Sequence, residues 1–294
     1  MNWRATRQTL DAGREHWQFG PIDLVLQPWG DASSIARAQQ AAWGRFQWVL
    51  PELVAELLAL RSAVDANTRV TGLVAQRMLA ACRPHAGEFI TPMAAVAGAV
   101  ADEICACFAA EPGVSRAYVN NGGDIALHLR EGEELKVGVI DHPQRPRHVG
   151  DVTITASMPV RGVATSGWRG RSFSLGIADS VTVLAASAAA ADAAATMIAN
   201  AVNLDHPGIV RAPANTLKDD SDLGGRLVTV DVPALPQADI ARALERGMAV
   251  VQACRSRGLI DSALLLLQGE VRHVSGSTVQ ERGHDADAAL KLAA

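Results

Sequence analysis

Between Thr165 and Ser172 the chain places Thr165, Ser166, Gly167, Arg169, Gly170, Arg171 and Ser172 almost without interruption. Hydroxyls, guanidinium forks and exposable backbone N–H groups form a donor set of the kind that holds phosphate. A polar surface turn is the plainer alternative. Downstream, Asp192 and Thr196 have the spacing that shares one helix face. One carboxylate and one hydroxyl are both hard oxygen donors, which suits Mg²⁺ completed by water and substrate phosphates. The alternative is a carboxylate hydrogen-bonded to loop N–H groups. Asp192 is the only charge between Asp179 and Asp205, and a lone charge in so apolar a setting needs a partner. Upstream, Asn120-Asn121-Gly122-Gly123-Asp124 reads either as a tight turn or as paired glycines that turn backbone N–H groups to a ligand oriented by Asp124.

Histidine is the usual acid–base residue. The eight histidines lie in loops, strand ends, a strand or the tail, and no GxSxG pattern accompanies them, so a hydrolase triad has weak support. Asp179, between the donor loop and the Asp192 helix, is the remaining candidate general base. Cys82, Cys105, Cys107 and Cys254 form no CxxC pair and no zinc spacing, which reads as buried thiols.

The elements that position these groups follow from periodicity. Trp17–Trp29 reads as two short strands turned at Gly20-Pro21. A helix is expected from near Ile35, a second segment from Pro51 through Leu60, and a third helix over 70–81. Thr91-Pro92 marks a helix start, with Thr91 as N-cap and Pro92 in the first turn. That helix runs on through small residues to Ala110. Strands are expected over 116–120, 125–130, 135–140 and 149–158, arranged as an antiparallel meander. Asp141-His142-Pro143 ends the third of them. Ser180–Ala186 reads as a buried strand and Ser187–Asn203 as a helix. His206–Gly225 is loop-like, Leu227–Val232 a strand, and Asp239–Arg255 a helix. Ser262–Gln268 and Val271–Val274 close the fold as a hairpin. The expectation is one domain over residues 1–275, with two subdomains and an inserted helical part over 31–111 as a variant. Residues 276–294 are expected to form a flexible tail.

At 294 residues, 49% hydrophobic and 20% charged, the chain is long enough for a substantial core. A net charge of −4 with mixed signs gives no basic field for nucleic acid or anionic membrane. Pro92–Ala110 carries Asp102 and Glu103, and Val181–Val202 carries Asp192, so both read as buried helices rather than spans. The first residues hold neither an apolar core nor a cleavage pattern, and the expected location is cytoplasmic.

In order along the chain stand Pro92-Met93-Ala94-Ala95-Val96-Ala97-Gly98, Asn120-x-Gly122-Gly123-Asp124, Ala164-Thr165-Ser166-Gly167 and Ala191-Asp192-x-x-x-Thr196. With these motifs the chain resembles the ApbE superfamily, whose best-known members are FAD:protein FMN transferases. It is more closely similar to the UPF0280 branch, through the run from Thr165 to Thr196 and through Ser221–Thr229. The resemblance covers roughly Trp17 to Val274 and implies a T-fold-related, ApbE-like α+β architecture with antiparallel sheets backed by helices. It implies an FAD or nucleotide ligand lined by Asn120, Gly122, Gly123, Asp124, Thr165, Ser166 and Gly167, with Arg169, Arg171 and Ser172 added by the donor loop. It also implies a Mg²⁺ ion on Asp192 and Thr196, and FMN transfer to a Thr hydroxyl of an acceptor protein. Two departures stand out: Ala97 replaces the Lys of the transferases' Lys-Gly-x-x-x-Asp segment, of which Gly98 and Asp102 remain, and Phe173–Ser180 replaces their His-rich stretch. The alternatives are a flavin- or nucleotide-binding module without transfer chemistry, or another enzyme linked to sulfur metabolism. Small-residue helices would suit a homodimer.

Overall fold

The computed structural model describes residues 4–140 and 148–276. In chain order the elements are β1 (Thr6–Thr9), β2 (Glu15–Phe19), β3 (Ile22–Gly30), α1 (Ala32–Ala55), α2 (Leu57–Leu60), α3 (Leu73–Cys82) and α4 (Val96–Ala109). Then come β4 (Val114–Asn121), β5 (Asp124–Leu129), β6 (Glu134–Ile140), β7 (His148–Thr155), β8 (Gly162–Ser166), β9 (Ser180–Ala185) and α5 (Ala188–Ala201). The last are β10 (Val210–Pro213), α6 (Ala214–Leu217), β11 (Leu227–Asp231), α7 (Gln237–Ser256), β12 (Ser262–Leu267) and β13 (Glu270–Val274). The fold class is α+β, with antiparallel sheets and helices.

These elements pack as two compact units. The first holds the described residues up to Glu134, Thr155–Ala164 and Ala185–Ala193. Its strands run in the order β1-β2-β3-β4-β5-β8, with antiparallel pairing. Along β3, Ile22, Leu24, Leu26 and Pro28 are buried while their neighbours are half-exposed, the period-two pattern of a sheet covered on one face. α4 lies on β4 and β5, and α1 and α3 pack against α4. Trp17, Phe46 and Phe108 are fully buried in this unit. Trp17 meets Trp43 edge-on at a centroid distance of 5.3 Å, so these two rings anchor β2 to α1.

The second unit holds the described residues of Leu135–Ile154, Thr165–Leu184 and those from Ala194 onward. Its strands β9, β12 and β13 are antiparallel neighbours, and every residue of β9 is buried. α7 covers β12 and β13. β10 pairs with β11, and β6 with β7, as separate two-stranded sheets.

Several expectations change. Pro51 does not start a new segment but lies inside α1. It is exposed, so the carbonyl it leaves unpaired can face water. Arg45 binds Glu52 across it with bonds of 2.9 and 2.6 Å. α3 begins at Leu73 rather than at 70, because Glu56 accepts the Thr71 and Gly72 N–H groups at 2.6 and 2.8 Å. The four expected strands are present, but not as one meander: β5 pairs with β8, while β6 and β7 form their own sheet. The loop expected over 206–225 contains β10 and α6, held by the ladder to β11. Strand β1 was not foreseen. The turn at 141–143 lies outside the described residues, as does the expected tail from 277 on.

The expected start at Thr91-Pro92 opens a 3₁₀ turn, Pro92–Ala95, which leads into α4. Among the described residues, Pro92–Ala109 is the one helical stretch apolar and long enough to cross a membrane. It packs against β4, β5, α1 and α3.

His128 on β5 gives a pH prediction. Burial is the largest influence on its imidazole and lowers its pKa. The bond that its Nε2 donates to the Val114 carbonyl at 3.2 Å acts the other way. A depressed histidine binds its proton more weakly folded than unfolded. Its contribution is therefore complete above the unfolded pKa, about 6.5, and is lost as pH falls through the folded value. His128→Gln is expected to flatten the decline of the urea midpoint below about pH 6.5. An unchanged slope would show that His128 is not the group responsible.

Candidate functional site

In the first unit the chemistry gathers where the N-termini of α4 and α5 meet. Asp192, on the second turn of α5, accepts the Gly98 N–H at 3.0 Å and the Ala97 N–H besides. Asp102, one turn into α4, accepts the Ala188 and Ala189 N–H groups, each at 2.9 Å. Each helix thus satisfies orphan N–H groups of the other with a carboxylate, where the helix dipole favours negative charge. Glycine makes the approach possible: a Cβ on Gly98 would lie 2.3 Å from the Ala188 carbonyl oxygen, and one on Gly162 2.1 Å from the Ala188 nitrogen.

The same corner is crowded with acid. Burial raises the Asp192 pKa well above the carboxylate range, and the nearby Asp124 charge raises it further, with a smaller push from Asp102. Burial likewise raises Asp102. The Asp192 residue as a whole is half-buried, and among the described residues it makes no ion pair. Asp124 is buried at the start of β5, directly after the Gly122-Gly123 turn. Gly122 and Gly123 have φ of +66° and +114°, the left-handed region that glycine adopts freely. Asn121 and Asp124 pair across them as a hairpin. The Asn120 side chain accepts the Gly123 N–H at 2.8 Å. Asn121 turns inward, donating to the Ala97 carbonyl at 3.1 Å and accepting from the Asp23 N–H at 3.4 Å. The hairpin is thereby tied to the same end of α4 that Asp192 caps.

In the second unit, Thr165 and Ser166 end β8, and the Thr165 hydroxyl lies 2.8 Å from that of Thr182. Gly167 is buried, where a Cβ would meet the Asp179 carbonyl oxygen at 2.4 Å. The loop then closes on Asp179. That carboxylate accepts Arg169 Nε at 2.9 Å, Trp168 Nε1 at 3.3 Å and the Gln268 N–H at 2.5 Å. The Arg169 guanidinium also stacks over Trp168, 4.3 Å from the ring centroid, where the ring's quadrupole attracts it. Gly170, Arg171 and Ser172 are exposed, and Arg171 makes no ion pair among the described residues.

The segment from Phe173 to Ser180 is fixed in place rather than open. Asn200 Oδ1 accepts the Leu175 N–H at 2.9 Å and the Ser174 hydroxyl at 3.3 Å, and Asn203 donates to the Leu175 carbonyl at 2.8 Å. Gly176 lies so close to α5 that a Cβ would sit 2.0 Å from the Ala199 carbonyl oxygen. Thr196 stands one turn after Asp192 on α5 and is half-buried.

Within the first unit, then, the structure brings Asn120, Gly122, Gly123, Asp124 and Asp192 together. Within the second it brings Gly167 and Arg169 against Asp179, while Thr165 and Ser166 end β8, with Thr165 facing Thr182, and Arg171 and Ser172 stand exposed. Residue type and spacing alone do not reveal four further participants. Asn121 reads as a spacer, although Asn next to Gly is itself a turn signal. Gly98 and Asp102 keep the Gly and Asp of the transferases' Lys-Gly-x-x-x-Asp segment, so the resemblance marks them, but their spacing of four does not show what they do. Gln268 acts through its backbone N–H, a group that every residue but proline carries.

Among the described residues no group of three or more His, Cys, Asp or Glu side chains is placed to hold a metal by itself. Mg²⁺ commonly takes only one or two carboxylates and fills its shell with water and phosphate oxygens. The crowded acidity at Asp192 and Asp124 fits that demand and no all-protein metal cage.

A UPF0280 protein of Methanopyrus kandleri is 40% identical to this chain over 149 residues, covering 50% of this chain and 56% of the relative. One of Methanococcoides burtonii is 33% identical over 140 residues, covering 47% and 57%. The chain thus spans little more than half the length of these curated relatives. Among solved structures, the flavin transferase ApbE of Vibrio cholerae is 13% identical with a TM-score of 0.45, covering 94% of this chain and 97% of that one. The apo flavinyl transferase ApbE of Pseudomonas stutzeri has the same identity and score, covering 94% and 95%. The profile of the family described as AbpE bacteria matches residues 7–273, which agrees with the resemblance read from the motifs. This chain belongs to that family.

Proposed function

We propose that this protein binds FAD, or a closely related pyrophosphate ligand, together with Mg²⁺, and transfers FMN to a hydroxyl of an acceptor protein with release of AMP. The observation that carries the reading is the buried Asp192 carboxylate, crowded by Asp124 and without an ion-pair partner among the described residues. Family membership and the order of the four motifs supply the ligand class. Bound there with Asp192 and Thr196, Mg²⁺ would neutralise charge on the pyrophosphate. The remaining contributions belong to the chain itself. Gly123 leaves open space above the turn for a ligand to approach the backbone. Arg171 and Ser172 offer exposed donors to phosphate. In the transfer itself the acceptor oxygen bonds to the FMN phosphorus as the bond to the AMP phosphate breaks, and the hydroxyl proton needs an acceptor. Positioning and charge neutralisation carry most of such catalysis.

A second reading, a flavin- or nucleotide-binding module without transfer, is favoured by a specific observation. Asp179, the candidate for that proton, is engaged by Arg169, Trp168 and Gln268. The experiment is incubation of the full chain with FAD and Mg²⁺, with AMP and FMN followed by chromatography. AMP release supports transfer. FAD retention without AMP supports the second reading, and neither binding nor cleavage overturns both.

The two arginines of the loop are expected to separate. Arg171→Ala removes an exposed donor and is expected to weaken FAD binding by about 1.5–3 kcal/mol, the size of a hydrogen bond to a charged group. Thermal stability should change by no more than about 0.5 kcal/mol. Arg169→Ala leaves the largely buried Asp179 carboxylate without its ion pair and is expected to lower the melting temperature as well. Equal effects of the two substitutions on stability would contradict this division.

A further inference from the structure

We propose that Asp102 is a positioning residue that holds the Asp192 carboxylate in its working place by fixing the first turn of α5. Both Asp102 oxygens accept from the first turn of α5, the Ala188 and Ala189 N–H groups, each at 2.9 Å. Those N–H groups open the helix on which Asp192 stands one turn later. Asp192 in turn caps Gly98, and Gly98 stands one turn before Asp102 on α4. The two carboxylates therefore close a loop of contacts: Asp102 to Ala188, along α5 to Asp192, across to Gly98, and along α4 back to Asp102. The loop leaves little slack. Backbone meets backbone at Gly98 and Gly162, where even a methyl group would overlap Ala188. Position 102 thus bears on position 192 through α5 and Gly98, as partners behind a metal ligand commonly do.

The proposal separates from a purely local cap by where its loss is felt. Asp102→Asn keeps one acceptor and suits a helix N-terminus nearly as well as Asp, so the chain is expected to fold. Asp102→Ala is the stronger variant. In the Asn variant, amide hydrogen exchange is expected to quicken at Ala188 and Ala189 and also, about tenfold, at Gly98, which Asp102 does not touch. Mn²⁺ affinity, measured by electron paramagnetic resonance as a stand-in for Mg²⁺, is expected to weaken about tenfold. It should not weaken further when Asp102→Asn is added to Asp192→Asn. Faster exchange at Ala188 and Ala189 with a wild-type rate at Gly98 overturns the proposal. The Mn²⁺ arm rests on the proposed function, and the exchange arm does not. A wild-type chain that binds no Mn²⁺ therefore counts against that function, while Gly98 still decides the role of Asp102.

Discussion

Asp192→Asn is expected to leave the fold intact and to weaken Mn²⁺ or Mg²⁺ binding by roughly a hundredfold or more, beyond the roughly 10–100-fold typical of partners behind the ligands. The asymmetry follows from what the carboxylate does. An amide oxygen can still accept the Gly98 N–H that Asp192 accepts at 3.0 Å, so the cap on α4 survives. The substitution removes the negative charge, and with it the attraction for a divalent cation. Asp192→Ala removes the cap as well and is expected to cost about 1 kcal/mol of stability on top of the lost affinity. Electron paramagnetic resonance of added Mn²⁺ reads the first effect, and the urea midpoint reads the second. Undiminished Mn²⁺ affinity in the Asn variant would remove Asp192 from the metal site.

The second large effect concerns the helices of the first unit. Glu103 on α4 has a side chain only 8% exposed, and it accepts Arg45 Nε at 2.7 Å and Arg77 Nε at 3.0 Å. It thereby joins α1, α3 and α4. Glu103→Ala takes its carboxylate partner from Arg77 and one of two carboxylates from Arg45, whose side chain is only 18% exposed. Breaking a buried pair from one side costs about 3–5 kcal/mol. The lower end applies, because Glu52 still neutralises Arg45 through bonds of 2.9 and 2.6 Å. A loss of about 3 kcal/mol is expected as a lower urea midpoint at unchanged slope. A midpoint within about 0.5 kcal/mol of wild type, the range of ordinary surface substitutions, would contradict the bridging role.

Local chemistry was legible where it decides conformation alone. Gly20 and the Gly122-Gly123 pair turn the chain as their backbone freedom predicts, and the apolar run Ser180–Ala185 is a strand buried throughout. The hairpin of Ser262–Leu267 and Glu270–Val274 and the helix Gln237–Ser256 lie within a few residues of their expected bounds. What stayed hidden depends on partners far away in sequence. Asp192 reaches Gly98 across 94 positions, and Asp102 reaches Ala188 across 86. Nothing within a helical window tells a carboxylate that caps a distant helix from one that faces solvent. Pro51 misled for a related reason: its cost falls on an exposed side of α1, and Arg45–Glu52 bridges it. The run Phe173–Ser180 could be seen to leave the transferase pattern, but its fixation by Asn200 and Asn203 could not.

The recurring glycines show the same division. At Gly122 and Gly123 the requirement is conformational and local. At Gly98, Gly162, Gly167 and Gly176 it is a close approach of another backbone segment, visible only once the chain is folded. Three of those four lie within or beside the motifs that carry the family resemblance. Part of that signature therefore records packing that holds the candidate site, rather than contacts with a ligand.

Calorimetric titration of FAD into the full chain, once with Mg²⁺ and once with a chelator, decides whether a Mg²⁺-dependent flavin site exists. One FAD per chain is expected to bind with Mg²⁺, and at least about tenfold more weakly without it, as when a coordinating partner is lost. FAD binding of equal strength in chelator, or no FAD binding under either condition, would contradict the proposed site.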